Sequence, residues 1–217
     1  MEPTILTTAQ RRVLDAVMAD DRFASYYLTG GTALAAFHLH HRVSDDLDCF
    51  TAEEQDPIAI HAFVDEAKAM VGATEVRYVR LHDHHIFTFA LDHEDLKVEF
   101  TRYPFPRLEP VVVYNRVRAD GLRDIAANKF AALLDRFDPK DFVDLYFLLQ
   151  KRSLSDLRRD TEQKFGMKID DVFLGGELAK VRRIAALPRM LVPLTVEDLK
   201  AFFTDRAREL GPSVLRE

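Results

Sequence analysis

Residues 28–50 read LTGGTALAAFHLHHRVSDDLDCF, and the organisation of the chain follows from how this stretch divides. Tyr26, Tyr27 and Leu28 form a short apolar run that stops at Gly30-Gly31, as a strand stops at a turn. Thr32 to about His40 suits a helix, with Leu34, Phe37 and either His38 or Leu39 on its inner face. Asp46 to Phe50 then alternates charged and apolar residues, the period of a half-buried strand. On such a strand Asp46 and Asp48 project to one side and Leu47 to the other, into the core.

Upstream of this stretch, residues 7–20 read as a helix capped by Thr7 or Thr8, with Val13, Leu14, Val17 and Met18 at helical spacing. Downstream, Pro57 opens a helix that runs to about Val71. Three strand-like runs follow, Glu75–Leu81, Ile86–Leu91 and Leu96–Thr101, with His82–His85 and Asp92–Asp95 as polar hairpin turns. Val111–Val113 adds an edge strand after a joint rich in proline at Pro104, Pro106 and Pro110. From Leu122 onward the period is helical, over 122–135, 140–151, 154–165, 176–186 and 196–210, punctuated by Pro139, Gly166, Gly175-Gly176, Pro188 and Pro193. The expected class is α+β. A small mixed β-sheet core with flanking helices spans residues 1–115, and a C-terminal helical bundle spans 116–217, with a cleft between them.

Composition bounds the possibilities. The chain has 217 residues, enough for one domain or two small ones. It is 47% hydrophobic and 30% charged, a globular balance that excludes wholesale disorder. No apolar run is long enough for a membrane span, and the first 20 residues lack the basic, apolar and small-residue pattern of a signal peptide. A single cysteine, Cys49, makes neither an internal disulfide nor a cysteine-rich zinc site. This profile fits a cytoplasmic enzyme or binding protein. The net charge of -6 is not that of a general nucleic-acid binder, although Arg116, Arg118 and Arg123, and Lys180, Arg182 and Arg183, concentrate positive charge locally.

Two carboxylates side by side repel unless a cation sits between them, so Asp46 and Asp48 point to a metal. Mg²⁺ is the natural choice, a hard ion that takes one or two carboxylates together with substrate phosphates. Gly30 and Gly31 suit the same chemistry. Without Cβ atoms the backbone can approach a phosphate, the following helix start points N–H groups at it, and Thr32 adds a hydroxyl. A lone Gly-Gly is usually a turn and a lone Asp-x-Asp a solvated edge; their combination on a strand–turn–helix–strand frame is what carries information. Glu99, facing away from Leu96, Val98 and Phe100, would complete a site for one or two metals if its strand lies beside the aspartates. His82–His85 read as turn residues, since neighbours on a strand point to opposite faces, and His38, His40 and His41 lack the i, i+4 spacing of a helical zinc site.

These residues resemble the DNA polymerase beta-like nucleotidyltransferase superfamily. More closely, the chain is similar to the abortive-infection nucleotidyltransferase toxins of type IV toxin–antitoxin systems. The resemblance rests on Gly30, Gly31, Thr32, Ala33 and Leu34, on His41, Arg42 and Ser44, and on Asp46 and Asp48. It extends to Asp124, Lys129, Arg136, Lys140, Asp141 and Asp144 in the helical half, and covers about residues 25–150. Lys140 departs from the pattern, standing where arginine is commoner; it keeps the charge but not the bidentate fork.

The resemblance implies a Mg²⁺-dependent enzyme that moves NMP from an NTP to an acceptor hydroxyl and releases pyrophosphate. Asp46, Asp48 and Glu99 would hold metal, with Glu99 alternatively acting as base. Gly30, Gly31, Thr32 and Ser44 would meet NTP phosphates, and Lys129 the triphosphate. Arg42 would do the same or lock the turn to the strand. Lys140, Asp141 and Asp144 complete the nucleotide side, the two aspartates sharing one helix face and orienting Lys129 or Arg136. The implied acceptor is RNA, such as a tRNA 3′ end, or a protein, and the implied partner is a separately encoded antitoxin. Two rivals remain at this point: an enzyme modifying a small aminoglycoside-like molecule, and a nucleotide- or partner-binding module with weak catalysis.

Overall fold

The computed structural model describes residues 5–211, so the ends of the two expected segments, 1–4 and 212–217, lie outside it. Its elements are α1 (Thr8–Ala19), β1 (Tyr27–Thr29), α2 (Gly30–Ala33), β2 (Asp46–Thr51), α3 (Pro57–Val71), β3 (Glu75–Leu81), β4 (His84–Ala90), β5 (Asp95–Arg102), β6 (Val112–Tyr114) and β7 (Val117–Ala119). The helices α4 (Leu122–Asp135), α5 (Pro139–Leu148), α6 (Leu154–Phe165), α7 (Asp171–Ala179) and α8 (Val196–Glu209) follow. The class is α+β, and the chain divides into two compact units. One holds the residues up to His38 and Val43–Gly121; the other holds Leu39–Arg42 and the chain from Leu122 onward.

The first unit is built on one mixed seven-stranded sheet of order β3-β4-β5-β2-β1-β7-β6. β2 lies between β1, to which it is antiparallel, and β5, to which it is parallel. Alternation along the central strands separates two faces. Leu47 and Cys49 of β2, Phe87 and Phe89 of β4, and Val98 and Phe100 of β5 are fully buried on one of them. Phe63 of α3 meets Phe100 edge-on, and His61 meets Phe87 in the same way. Each such ring or aliphatic chain contributes about 1.5–3 kcal/mol of burial, which pins the register of the central strands. Burial pushes the Cys49 thiol up, so the side chain behaves as a small hydrophobe.

The second unit is helical. α4 packs against α5, α6 and α7, and α8 against α5 and α7. Phe142 of α5 meets Phe203 of α8 edge-on. The four residues Leu39–Arg42 join this unit through an isolated bridge between Arg42 and Met190 and a hydrogen bond from the Leu191 N–H to the His41 carbonyl.

Three details differ from the reading of the sequence. His84 and His85 are not turn residues: the turn is His82-Asp83, with His82 at φ +52°, and the histidines after it open β4. β7 was not anticipated, because three residues between two turns carry too short a pattern to recognise. The helix expected at 176–186 starts earlier, at Asp171, since the Asp170 carboxylate accepts the Val172 and Phe173 N–H groups and nucleates the turn; Gly175 and Gly176 lie inside it.

Candidate active site

In the first unit the chemistry gathers on the sheet face opposite the aromatic core. Asp46 of β2 lies directly opposite Lys97 of β5, and Asp48 opposite Glu99. On the other flank Asp48 lies opposite Thr29 of β1. Gly30, next along, has φ +69°, and a Cβ there would overlap the Asp48 carboxylate. The backbone angle favours glycine at this position, and any side chain would also make the Asp48 carboxylate move. Thr32 is buried and its hydroxyl donates to the Asp46 backbone carbonyl. This hydrogen bond ties the turn to β2. Gly31 is buried, and so is Ser44, whose carbonyl accepts from Gln10 Nε2 at 2.9 Å.

Glu99 is nearly buried and well satisfied. Its Oε1 accepts from His84 Nδ1 at 2.6 Å and from Thr101 Oγ1 at 2.8 Å, while Lys97 Nζ stands 3.5 Å from Oε2. Burial alone would raise this carboxyl. The hydrogen bonds from His84 and Thr101 and the charge of Lys97 outweigh it and hold Glu99 below the ordinary glutamate value. Lys97 shows the converse balance: burial disfavours its ammonium, but Asp46, Glu99 and Asp48 raise it.

Among the described residues, no three His, Cys, Asp or Glu side chains are already gathered into a metal cage. The donor set nevertheless fits Mg²⁺. It is all oxygen, with Asp46 and Asp48 on one face of one strand, Glu99 in register beside them, and Gly30 leaving room for the Asp48 carboxylate. Mg²⁺ ordinarily takes one or two carboxylates and fills its remaining positions with water and substrate oxygen, so a complete protein cage is not needed.

In the second unit, Lys129 of α4 places Nζ 2.8 Å from Asp141 Oδ1 and 2.8 Å from Asp144 Oδ2, both on α5. Asp144 also accepts from Arg42 Nε at 2.6 Å, Arg42 Nη2 at 2.8 Å and His41 Nε2 at 2.8 Å. Arg136 completes the group, 3.3 Å from Asp141 Oδ2. Arg42 is 1% exposed and Asp144 0%. Burial would raise the Asp144 carboxyl, but Lys129, Arg42 and His41 drive it far below the usual carboxylate range. Lys129 is displaced in the opposite sense: burial disfavours its charge, and Asp144 and Asp141 more than restore it.

The expected site residues thus fall into two groups. Asp46, Asp48 and Glu99 lie on one face of the paired strands β2 and β5 in the first unit, with Gly30 against Asp48, and Arg42, Lys129, Asp141 and Asp144 come together in the second. Asp141 and Asp144 are buried and paired with cations, an arrangement that suits the orienting of Lys129 expected of them. Arg42, expected at the triphosphate or as a lock between turn and strand, is paired with Asp144. Lys140 is half-buried at the start of α5, where its N–H donates to Asp138. The sequence reading takes His84 for a turn residue and gives Lys97 and Thr101 no role in the site. Strict alternation through β4 and β5 was the available signal, masked in β4 by the turn-like run His82–His85.

The family model of the nucleotidyl transferase AbiEii toxin, from type IV toxin–antitoxin systems, matches residues 12–212. An uncharacterized protein of Aquifex aeolicus is 32% identical over 166 residues, which span 74% of this chain and 76% of that one. Among solved structures, JHP933 from Helicobacter pylori superposes with a TM-score of 0.59 at 18% identity, covering 95% of this chain and 90% of its own. MenT4, a nucleotidyltransferase toxin from Mycobacterium tuberculosis, gives 0.53 at 14% identity, covering 93% and 83%. At such identities the two structures speak to the fold.

Proposed function

The chain belongs to the nucleotidyl transferase AbiEii toxin family of type IV toxin–antitoxin systems and is a nucleotidyltransferase, and from that premise we propose that it transfers NMP from an NTP to a hydroxyl of RNA. The observation that supports metal-dependent nucleotidyl transfer most directly is the register of β2 and β5, which sets Asp48 beside Glu99 with Asp46 two residues away on the same face; the RNA acceptor is what the family resemblance implies. Asp46, Asp48 and Glu99 are the residues we assign to Mg²⁺. When bound, that ion supplies charge neutralisation at the reacting phosphates.

The remaining roles belong to the chain itself. Gly30 leaves the Asp48 carboxylate its place. Glu99, held below its ordinary pKa, is a poor proton acceptor, which favours a ligand role over that of a base. The acceptor oxygen bonds to the α-phosphorus as the bond to pyrophosphate breaks, and the hydroxyl proton leaves to solvent. For the second unit we assign Lys129 to NTP affinity, with Asp141 and Asp144 fixing its ammonium. Lys129 is a point charge of the sign a polyphosphate needs, held in place by the two carboxylates. Family membership supports a separately encoded antitoxin as the partner.

The test is label transfer from each NTP, radiolabelled at the α-phosphate, into total RNA and lysate protein with Mg²⁺. The Asp46→Ala/Asp48→Ala double variant is the control. Label in RNA that vanishes in the control supports the proposal. Label in protein alone reassigns the acceptor, and label in neither pool from folded enzyme overturns transfer to a macromolecule in favour of a small-molecule acceptor.

A further inference from the structure

We propose that His84 is a positioning residue that turns Glu99 into a one-oxygen ligand by holding its Oε1 and leaving Oε2 for the metal. The inference rests on the assignment of Glu99 to the metal group made above.

The geometry begins with register. On β4 and β5 His84 pairs with Thr101 and Ile86 with Glu99, so His84 stands diagonally from Glu99 on the same face. Diagonal neighbours across antiparallel strands are within reach of long side chains. Two donors converge on one carboxylate oxygen: His84 Nδ1 at 2.6 Å and Thr101 Oγ1 at 2.8 Å. These two donors also stand 3.1 Å apart. A carboxylate so bound cannot rotate about its last torsion without breaking both bonds. Its second oxygen, Oε2, is turned towards Lys97, whose ammonium lies 3.5 Å away on the side shared with Asp46. The oxygen that meets positive charge is therefore the one His84 does not occupy.

His84 is not there to fill the core. Its side chain is 42% exposed, against 11% for Glu99. The adjacent His85 does the structural work, buried on the opposite face with Tyr78 Oη 2.9 Å from its Nδ1. With the carboxylate accepting, the His84 proton sits on Nδ1. An outer residue that holds a ligand in this way typically affects metal affinity or activity by about 10–100-fold.

Two variants separate this role from its alternatives. His84→Ala removes the donor; His84→Asn keeps an amide N–H where Nδ1 stands. Mn²⁺ is the probe, titrated without NTP and read by the electron paramagnetic resonance of the free ion, alongside kcat and KM for NTP in label transfer. The expected result is that His84→Ala weakens Mn²⁺ binding at least about 10-fold and lowers kcat similarly, with KM little changed. His84→Asn should recover most of both. Wild-type Mn²⁺ affinity in His84→Ala overturns the proposal while leaving the assignment of Glu99 intact. An Asn variant as weak as Ala also overturns it, because only a role of the imidazole itself would be lost in both. Failure of the wild-type protein to bind Mn²⁺ or transfer label removes the assignment of Glu99, and this proposal with it.

Discussion

Gly30 shows how little freedom a single position has in this site. Its φ of +69° disfavours any side chain, and the space a Cβ would need is filled by the Asp48 carboxylate. Gly30→Ala is therefore expected to cost more than about 1 kcal/mol in backbone strain and to abolish label transfer by displacing Asp48. Urea unfolding and the transfer assay would separate the two losses. Protonation gives a second expectation at this scale. Glu99 and Asp144 both hold protons less tightly when folded than their ordinary values. The stability they contribute is whole above about pH 5 and drains away as pH falls through about 4 and below. Urea midpoints followed down from neutrality should decline in that acid limb, and Glu99→Gln should flatten part of the decline. Alternation announced in the sequence that Asp46 and Asp48 share a face of β2 and that Glu99 and Lys97 share one of β5, but not that β5 lies beside β2. His84 was not legible either, because its importance depends on pairing with a strand 15 residues away, which local pattern does not report.

At the level of elements, start and stop signals governed what could be read in advance. α3 lies where Pro57 and Gly72 place it, with Asp56 capping one end and Gly72 at φ +70° the other. α6 begins after Ser153 and stops at Gly166 for the same reasons. α7 was misplaced because two glycines inside it imitate a break, whereas the Asp170 cap sets its true start. The pairing of α4 with α5 leads to an ordering of variants. Asp144 answers Lys129, Arg42 and His41 from full burial, whereas Asp141 answers Lys129 and the half-exposed Arg136. Asp144→Ala takes the paired carboxylate from a buried guanidinium and is expected to cost about 3–5 kcal/mol. Asp141→Ala should cost distinctly less, since Lys129 retains Asp144. Equal losses in paired thermal melts would contradict this division of labour.

For the whole molecule, the α+β class was readable because strand-period and helix-period patterns segregate along the chain. The membership of Leu39–Arg42 in the helical unit was not, because it depends on Asp144, some hundred residues later. A chain cut after Gly121 keeps Arg42 and His41 but lacks Asp144, Met190 and Leu191. It is expected to lose protection from hydrogen exchange over residues 39–42. Retained protection there would show that this segment is held without the helical unit. The contact between Gly30 and Asp48 has a further consequence, one of inheritance. In a descendant that loses Asp48, the steric objection to a side chain at 30 disappears and only the left-handed backbone remains, which asparagine tolerates. Among relatives, glycine at this position should therefore be kept wherever the aspartate is kept and should drift, towards asparagine first, in lineages where the aspartate has gone.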